Sequence, residues 1–75
     1  MENKVIVYSK NNCSQCRMTK NFLNEIGVDF IEKNIETKDE YREEALSYGL
    51  KSLPIVKTSK EVFHGFRPDI LENLA

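Results

Sequence analysis

Val5-Ile6-Val7-Tyr8-Ser9-Lys10-Asn11-Asn12-Cys13-Ser14-Gln15-Cys16 passes from a short apolar run, through a polar turn, into two cysteines separated by two residues. Lys4 to Tyr8 is β-branched and aromatic, lacks polar alternation and is too short for a helix, so it reads as a buried strand at the centre of a sheet. Ser9 to Asn12 favour a turn, and the two asparagines tolerate unusual backbone angles, so the chain swings here into a helix. Cys13 then lies in a strand-to-helix loop, with Cys16 three residues on in the first helical turn. That spacing brings their α-carbons near the separation a disulfide requires, and the pair can open and close with little backbone movement.

Outward from this stretch, Met18, Phe22 and Ile26, joined by Leu23, form an apolar stripe that predicts a helix from about Ser14 to Ile26, with Gly27 suited to its end. Val28 to Ile35 reads as a partly exposed strand near an edge. Thr37-Lys38-Asp39-Glu40 matches a capping box, the start of a second helix. Its apolar face is Tyr41, Ala45, Leu46 and Tyr48, its charged Arg42, Glu43 and Glu44 face water, and Gly49 offers a stop. Leu53 to Lys57 and Glu61 to Phe63 read as a hairpin around Thr58-Ser59-Lys60, with Pro54 at a strand start where it removes no ladder bond. Pro68 opens a short terminal helix whose apolar face is Ile70, Leu71 and Leu74.

The order βαβαββα implies an α/β domain. A right-handed parallel crossover plus a hairpin makes a mixed four-stranded sheet flanked by three helices. Cys13 is then exposed at the carboxyl end of the first strand, where reactive groups collect in such sheets.

Seventy-five residues predict one domain, 1–75, with a thin stability margin. Eleven Lys and Arg stand against twelve Asp and Glu, so no general field attracts a polyanion and nucleic acid is not an expected partner. The apolar run at residues 5–8 is far too short for a signal peptide or membrane span, which makes the cytoplasm the expected compartment and no membrane the expectation. Thiol buffers there keep ordinary cysteines reduced, so a close pair is expected to cycle rather than to staple the fold. There is no internal repeat, low-complexity tract or linker.

At a helix start, unpaired backbone N–H groups, including those of Gln15 and Cys16, can point at the Cys13 sulfur, and the helix dipole favours negative charge. Such environments bring a thiol pKa to about 3.5–7.5, with Lys10, Arg17 and Lys20 as candidate cations beside it. The mechanism that follows has Cys13 as nucleophile and Cys16 as resolving thiol, since the first cysteine lies at the exposed end and the second points back into the turn. The competing readings are a pair of core cysteines and a metal site. Zinc usually takes four ligands, and this chain offers two thiols and His64 unless a dimer shares its cysteines.

Three stretches together resemble the glutaredoxin and thioredoxin superfamily, and within it the NrdH-type redoxins: Tyr8 to Lys20 around the cysteines, the Leu53-Pro54 step, and Gly65-Phe66-Arg67-Pro68-Asp69. The resemblance covers nearly the whole chain and implies a thioredoxin-like fold. Residues alone predict a trans Pro54, because an X-Pro bond is cis in only about 5–6% of cases. The resemblance implies instead a cis Pro54 beside the active cysteine, with Leu53 and Pro54 presenting an edge to an extended partner segment.

Glutathione-using glutaredoxins resemble one another in a Gly-Gly turn followed by acidic residues. Here Phe66 and Arg67 follow Gly65, adding bulk and positive charge, which implies a protein reductant docking at Gly65, Phe66 and Arg67. The resemblance therefore implies a cytoplasmic dithiol-disulfide oxidoreductase, a monomer with no bound cofactor beyond the redox-active Cys13–Cys16 disulfide. Thioredoxin reductase is its implied reductant and the large subunit of a class Ib ribonucleotide reductase its implied acceptor. Phe63 stands where the family commonly has Trp, and His64 where a small hydroxyl residue is common. His64 reads as a surface polar residue, and Arg67 as pairing locally with Asp69 or Glu72 or touching a partner. Two alternatives stand beside the leading reading: a glutathione-dependent glutaredoxin and a zinc- or iron–sulfur-bridged dimer.

Overall fold

The computed structural model describes residues 4–49 and 52–74. Strand β1 (Ile6–Ser9) is followed by helix α1 (Ser14–Glu25), strand β2 (Ile31–Asn34) and helix α2 (Asp39–Ser47). A hairpin of β3 (Ile55–Lys57) and β4 (Val62–His64) then leads to α3 (Pro68–Leu71), which tightens into a 3₁₀ turn (Glu72–Leu74). The sheet order is β2-β1-β3-β4, with β1 parallel to β2 and antiparallel to β3, and β3 antiparallel to β4. The mixed four-stranded sheet, three helices and central first strand are those the sequence predicts. Among the described residues no helix is long and apolar enough to cross a membrane.

The missing polar alternation in β1 is explained by cover on both faces of the sheet. Val7, Val56 and Phe63 stand in register across β1, β3 and β4 and pack with Leu23 of α1 and Leu71 of α3. Tyr8 and Ile55, one residue out of phase, join Ala45 of α2 on the opposite face. The first core is the larger. α2 buries only Ala45 fully, with Tyr48 half-buried against Tyr8 at 5.8 Å between ring centroids.

Several boundaries and faces differ from expectation. β1 begins two residues later and ends one later than read, and β2 occupies only the last part of the 28–35 run, because pairing with a four-residue β1 limits it to the register Ile6↔Ile31 through Ser9↔Asn34. Val28 and Phe30 still pack on the core, and Ile31, half exposed, fits the edge position expected. The hairpin strands start later than read: Leu53 and Pro54 precede β3, and β4 extends to His64.

In α1 the fully buried residues are Cys16, Thr19 and Leu23; of the predicted stripe Leu23, Phe22 and Ile26 pack on the core, and Met18, 44% exposed, does not. Positions i, i+4 and i+8 drift by about 40° per step around a helix of 3.6 residues per turn, so Met18 rotates outward once Leu23 faces the sheet. Thr19 is completely buried and its hydroxyl has no hydrogen-bond partner among the described residues. Thr19→Val keeps the shape and removes a desolvated hydroxyl, whose unsatisfied burial costs about 1–3 kcal/mol. The variant is expected to melt several degrees higher in a thermal scan, and an unchanged or lower midpoint would mean that this hydroxyl is satisfied.

The predicted capping box does not form. Thr37 Oγ1 donates to the Asn34 carbonyl at 2.7 Å, while Asn34 Oδ1 accepts from the Glu36 N–H at 2.8 Å. The turn leaving β2 thus consumes Thr37, and α2 begins after Lys38 without a side-chain cap. Leu46 is 67% exposed instead of widening the buried face, and Glu44, partly exposed, also bonds inward to the Tyr8 hydroxyl. Neither shift has a local signature, because both depend on what the sheet presents to α2.

Candidate active site: the dithiol turn and its cavity

β1 delivers the chain to a turn in which Asn12 takes a left-handed φ of 56°, as the asparagines suggested. Asn11 fastens this turn to the far end of β2. Its amide nitrogen donates to Glu36 Oε1 at 2.6 Å, and its oxygen accepts from Asn34 Nδ2 at 3.1 Å. Such cross-chain fastening leaves no local signature.

Cys13 is the N-cap of α1, with extended backbone, and its Sγ accepts a hydrogen bond from the Cys16 N–H at 3.2 Å. Of the two amides expected at the sulfur, that of Cys16 makes the bond. Cys13 and Cys16 form a disulfide with α-carbons 5.3 Å apart, inside the usual range. Cys13 is half-buried whereas Cys16 is 1% exposed, so an incoming group meets Cys13.

Cys13 opens on a cavity of about 560 Å³ whose lining includes Lys10, Arg42, Leu46, Leu53 and Ile55. Lys10 is thus the candidate cation that shares the cavity with the sulfur. Lys20 is drawn away to Glu32 Oε2 at 2.7 Å, where the Ser9 hydroxyl also donates. Arg42, read from sequence as solvent-facing, and the exposed Leu46 form a wall supplied by α2.

The Leu53-Pro54 bond is cis, as the resemblance implied and general frequencies did not. The Pro54 carbonyl accepts from the Gly65 N–H at 2.8 Å, and Ser52 Oγ lies 2.8 Å from His64 Nδ1. Gly65 has φ 83°, a left-handed conformation that suits glycine. Phe66 meets Phe22 edge-on at 6.0 Å, and its N–H donates to Gln15 Oε1 at 3.3 Å. Leu53 is therefore brought into the cavity with Cys13, and Gly65 and Phe66 against the dithiol turn. Arg67 pairs with Asp69 through Nη2–Oδ2 at 3.2 Å, the local alternative, and its guanidinium holds the Asp69 carboxyl below the usual range. Nothing local in the sequence marks Gln15, between the cysteines, as a contact. Its partner lies 51 positions away.

The α2 wall is held by a polar clamp. Glu44 Oε1 accepts from the Tyr8 hydroxyl at 2.8 Å and from Lys33 Nζ at 2.9 Å. The bond from Lys33 keeps the Glu44 carboxyl below the ordinary carboxylate range, and in turn raises Lys33. Burial, then the bond to Glu44, pushes the Tyr8 phenol above its ordinary range. Glu32, bonded to Lys20, is likewise lowered.

A carboxyl depressed on folding stabilises the fold above its unfolded pKa, about 4.3 for Glu, and that contribution is lost as pH falls through the folded value. Raised Lys33 and Tyr8 contribute fully below their unfolded values near about 10, and the contribution is lost as pH rises through the folded ones. The melting temperature is expected to be flat between about pH 5 and 9 and to fall on either side. Glu44→Gln, which keeps an acceptor for Tyr8, should flatten the acid limb in scans from pH 7 to 3, whereas an unchanged limb would remove Glu44 from this account.

Among the described residues no group of three or more His, Cys, Asp and Glu side chains converges. Comparison with known proteins places the chain. The glutaredoxin family model matches residues 5–63. The glutaredoxin-like protein NrdH of Lactococcus lactis subsp. cremoris is 42% identical over 71 residues, covering 95% of this chain and 99% of the relative. The Escherichia coli protein of the same name is 32% identical, covering 95% and 88%. The solved structure of the glutaredoxin-like NrdH-redoxin from Escherichia coli superposes with a TM-score of 0.90 over 96% of this chain and 95% of that one, at 32% identity. The fold is therefore thioredoxin-like, and the cysteine pair at the head of α1 is the redox-active disulfide of that fold. This chain belongs to the glutaredoxin family, among its NrdH-type glutaredoxin-like proteins, and is a thiol-disulfide oxidoreductase.

Proposed function

We propose that the protein is an electron carrier, reduced by a flavin- and NADPH-dependent thioredoxin reductase, that re-reduces the disulfide of a class Ib ribonucleotide reductase large subunit. The observation that carries the choice of reductant is Phe66. It stands beside the dithiol turn where glutathione-using relatives resemble one another in a small glycine, and its ring packs on Phe22 rather than leaving a turn open for a tripeptide. The solved Escherichia coli NrdH-redoxin is itself described as having a thioredoxin-like activity profile.

The reaction follows from the asymmetry of the two sulfurs. In the reduced protein the Cys16 N–H and the first turn of α1 favour the Cys13 thiolate. That thiolate attacks one sulfur of the partner disulfide; the S–S bond breaks, the other partner sulfur leaves as a thiolate, and a mixed disulfide forms. Cys16, deprotonated and already within disulfide range, attacks Cys13 Sγ and expels the second partner sulfur. Two electrons have passed to the partner, and the product is the Cys13–Cys16 disulfide. Leu53 and Pro54 hold the extended partner segment at the cavity, and Gly65, Phe66 and Arg67 meet the reductase.

A second reading, the glutathione-dependent glutaredoxin, is favoured by one feature: Lys10 and Arg42 line the cavity and suit the carboxylates of a small peptide thiol. Turnover measured with NADPH and thioredoxin reductase against turnover with glutathione and its reductase decides between them. Reduction by the protein system is expected to dominate, and reduction by glutathione alone would overturn the proposal.

A further inference from the structure

Gln15 occupies the gap between the two cysteines, with its backbone in the first turn of α1 and its side chain reaching across to the tail of the chain. Its Oε1 accepts the Phe66 N–H at 3.3 Å. The same oxygen lies over Gly65: a Cβ built on that glycine would stand 3.7 Å from it. Gly65 is fastened on its other side, its N–H donating to the Pro54 carbonyl at 2.8 Å. The Gly65–Phe66 backbone is therefore suspended between two hydrogen bonds, one to the Leu53-Pro54 step and one to the residue inside the cysteine pair.

From this arrangement we infer that Gln15 is a positioning residue. It holds Phe66 at a set distance from the Cys13–Cys16 disulfide and so determines how tightly a protein reductant docks. The inference rests on the protein-reductant reading above and extends it, since that reading assigns docking to Phe66 and seats its ring on Phe22 but leaves the hold on its backbone unassigned. The bond from Pro54 locates Gly65 relative to the sheet. The bond from Gln15 ties the backbone of the segment to the helix that carries the sulfurs, beside the packing of the Phe66 ring on Phe22 of the same helix. A reductase must present its own redox pair at Cys13 while covering Phe66, so the spacing of these two points sets the fit. A small reductant touches only the sulfur and is indifferent to that spacing.

Gln15→Met keeps the length of the side chain and removes the acceptor; Gln15→Glu keeps an oxygen in its place. With oxidised protein as substrate for NADPH and thioredoxin reductase, Gln15→Met is expected to raise KM about tenfold, the weight of one hydrogen bond of roughly 1.4 kcal/mol, with kcat within about twofold. The rate of reduction by dithiothreitol is expected to move less than about threefold, and Gln15→Glu to recover most of the KM. The Phe66 amide, followed by hydrogen exchange in NMR spectra, is expected to exchange about tenfold faster in Gln15→Met than in wild type.

An unchanged KM in Gln15→Met overturns the inference. So does a loss of reductase turnover matched by an equal loss with dithiothreitol, since Gln15 would then act on the sulfur chemistry. A wild-type protein that the reductase fails to reduce overturns the functional reading and the affinity part of the inference together. The exchange rate judges the anchoring without any partner: equal Phe66 exchange in wild type and Gln15→Met refutes it.

Discussion

Cys16→Ser protein, mixed in its reduced state with a disulfide-bonded protein substrate, is expected to accumulate as a covalent mixed disulfide through Cys13. The second step needs a sulfur already within bonding range of Cys13, and Cys16 alone supplies one, from a position that solvent and partner scarcely reach. Serine fills the same space but is not a nucleophile toward a disulfide at neutral pH. Steady-state turnover should fall by about a thousandfold or more, as when one member of a cooperating catalytic pair is removed, while the first bond-forming step survives. Non-reducing electrophoresis and intact mass would show the adduct, and dithiothreitol would release it. Cys13→Ser should form no adduct. If Cys16→Ser turns over like wild type, or the adduct sits on Cys16 in Cys13→Ser, the division of roles is wrong.

The second large effect concerns stability. Leu23 is completely buried between α1 and the sheet, in contact with the row of Val7, Val56 and Phe63 and with Leu71. Leu23→Ala loses that packing while slightly favouring the helix, so the whole cost is the lost transfer energy and the cavity left behind, about 2–5 kcal/mol. A domain of this size commonly holds only about 5–10 kcal/mol in total, so the substitution removes a large share of it and should lower the melting temperature by about 10 °C or more. Urea titration should show a lower midpoint with an unchanged slope. Leu46→Ala, at a residue of the same type that is mostly exposed on α2, should shift stability by no more than about 0.5 kcal/mol. Equal effects from the two substitutions would contradict the assignment of core and cavity wall.

These two leucines mark the limit of what periodicity conveys. Leu23 and Leu46 each sit on an apolar helical face in the sequence, and nothing local distinguishes them. α1 lies over the strand row Val7–Val56–Phe63, a flat apolar surface that takes Leu23. α2 lies over Tyr8, whose hydroxyl must be satisfied, and it offers Glu44 for that purpose, turning Leu46 toward the cavity beside Cys13. The capping box failed for a similar reason: the turn leaving β2 holds Thr37 to Asn34, and α2 starts one residue later than the box requires, with Lys38 at its N-cap.

The order of elements, the central first strand and the placement of the cysteine pair at a helix start were legible in the sequence by itself. They rest on short-range chemistry: β-branched runs, turn-forming asparagines, terminal glycines and a three-residue cysteine spacing. The cis bond at Leu53-Pro54 was legible only through resemblance, since the residues alone favour trans. The tertiary structure decided which of the candidate cations Lys10, Arg17 and Lys20 shares a cavity with Cys13, which α2 residues wall it, and that Gln15 reaches Phe66. Each depends on groups tens of residues apart meeting across the sheet, and such meetings are set by how both faces of β1 are covered, which no local pattern encodes.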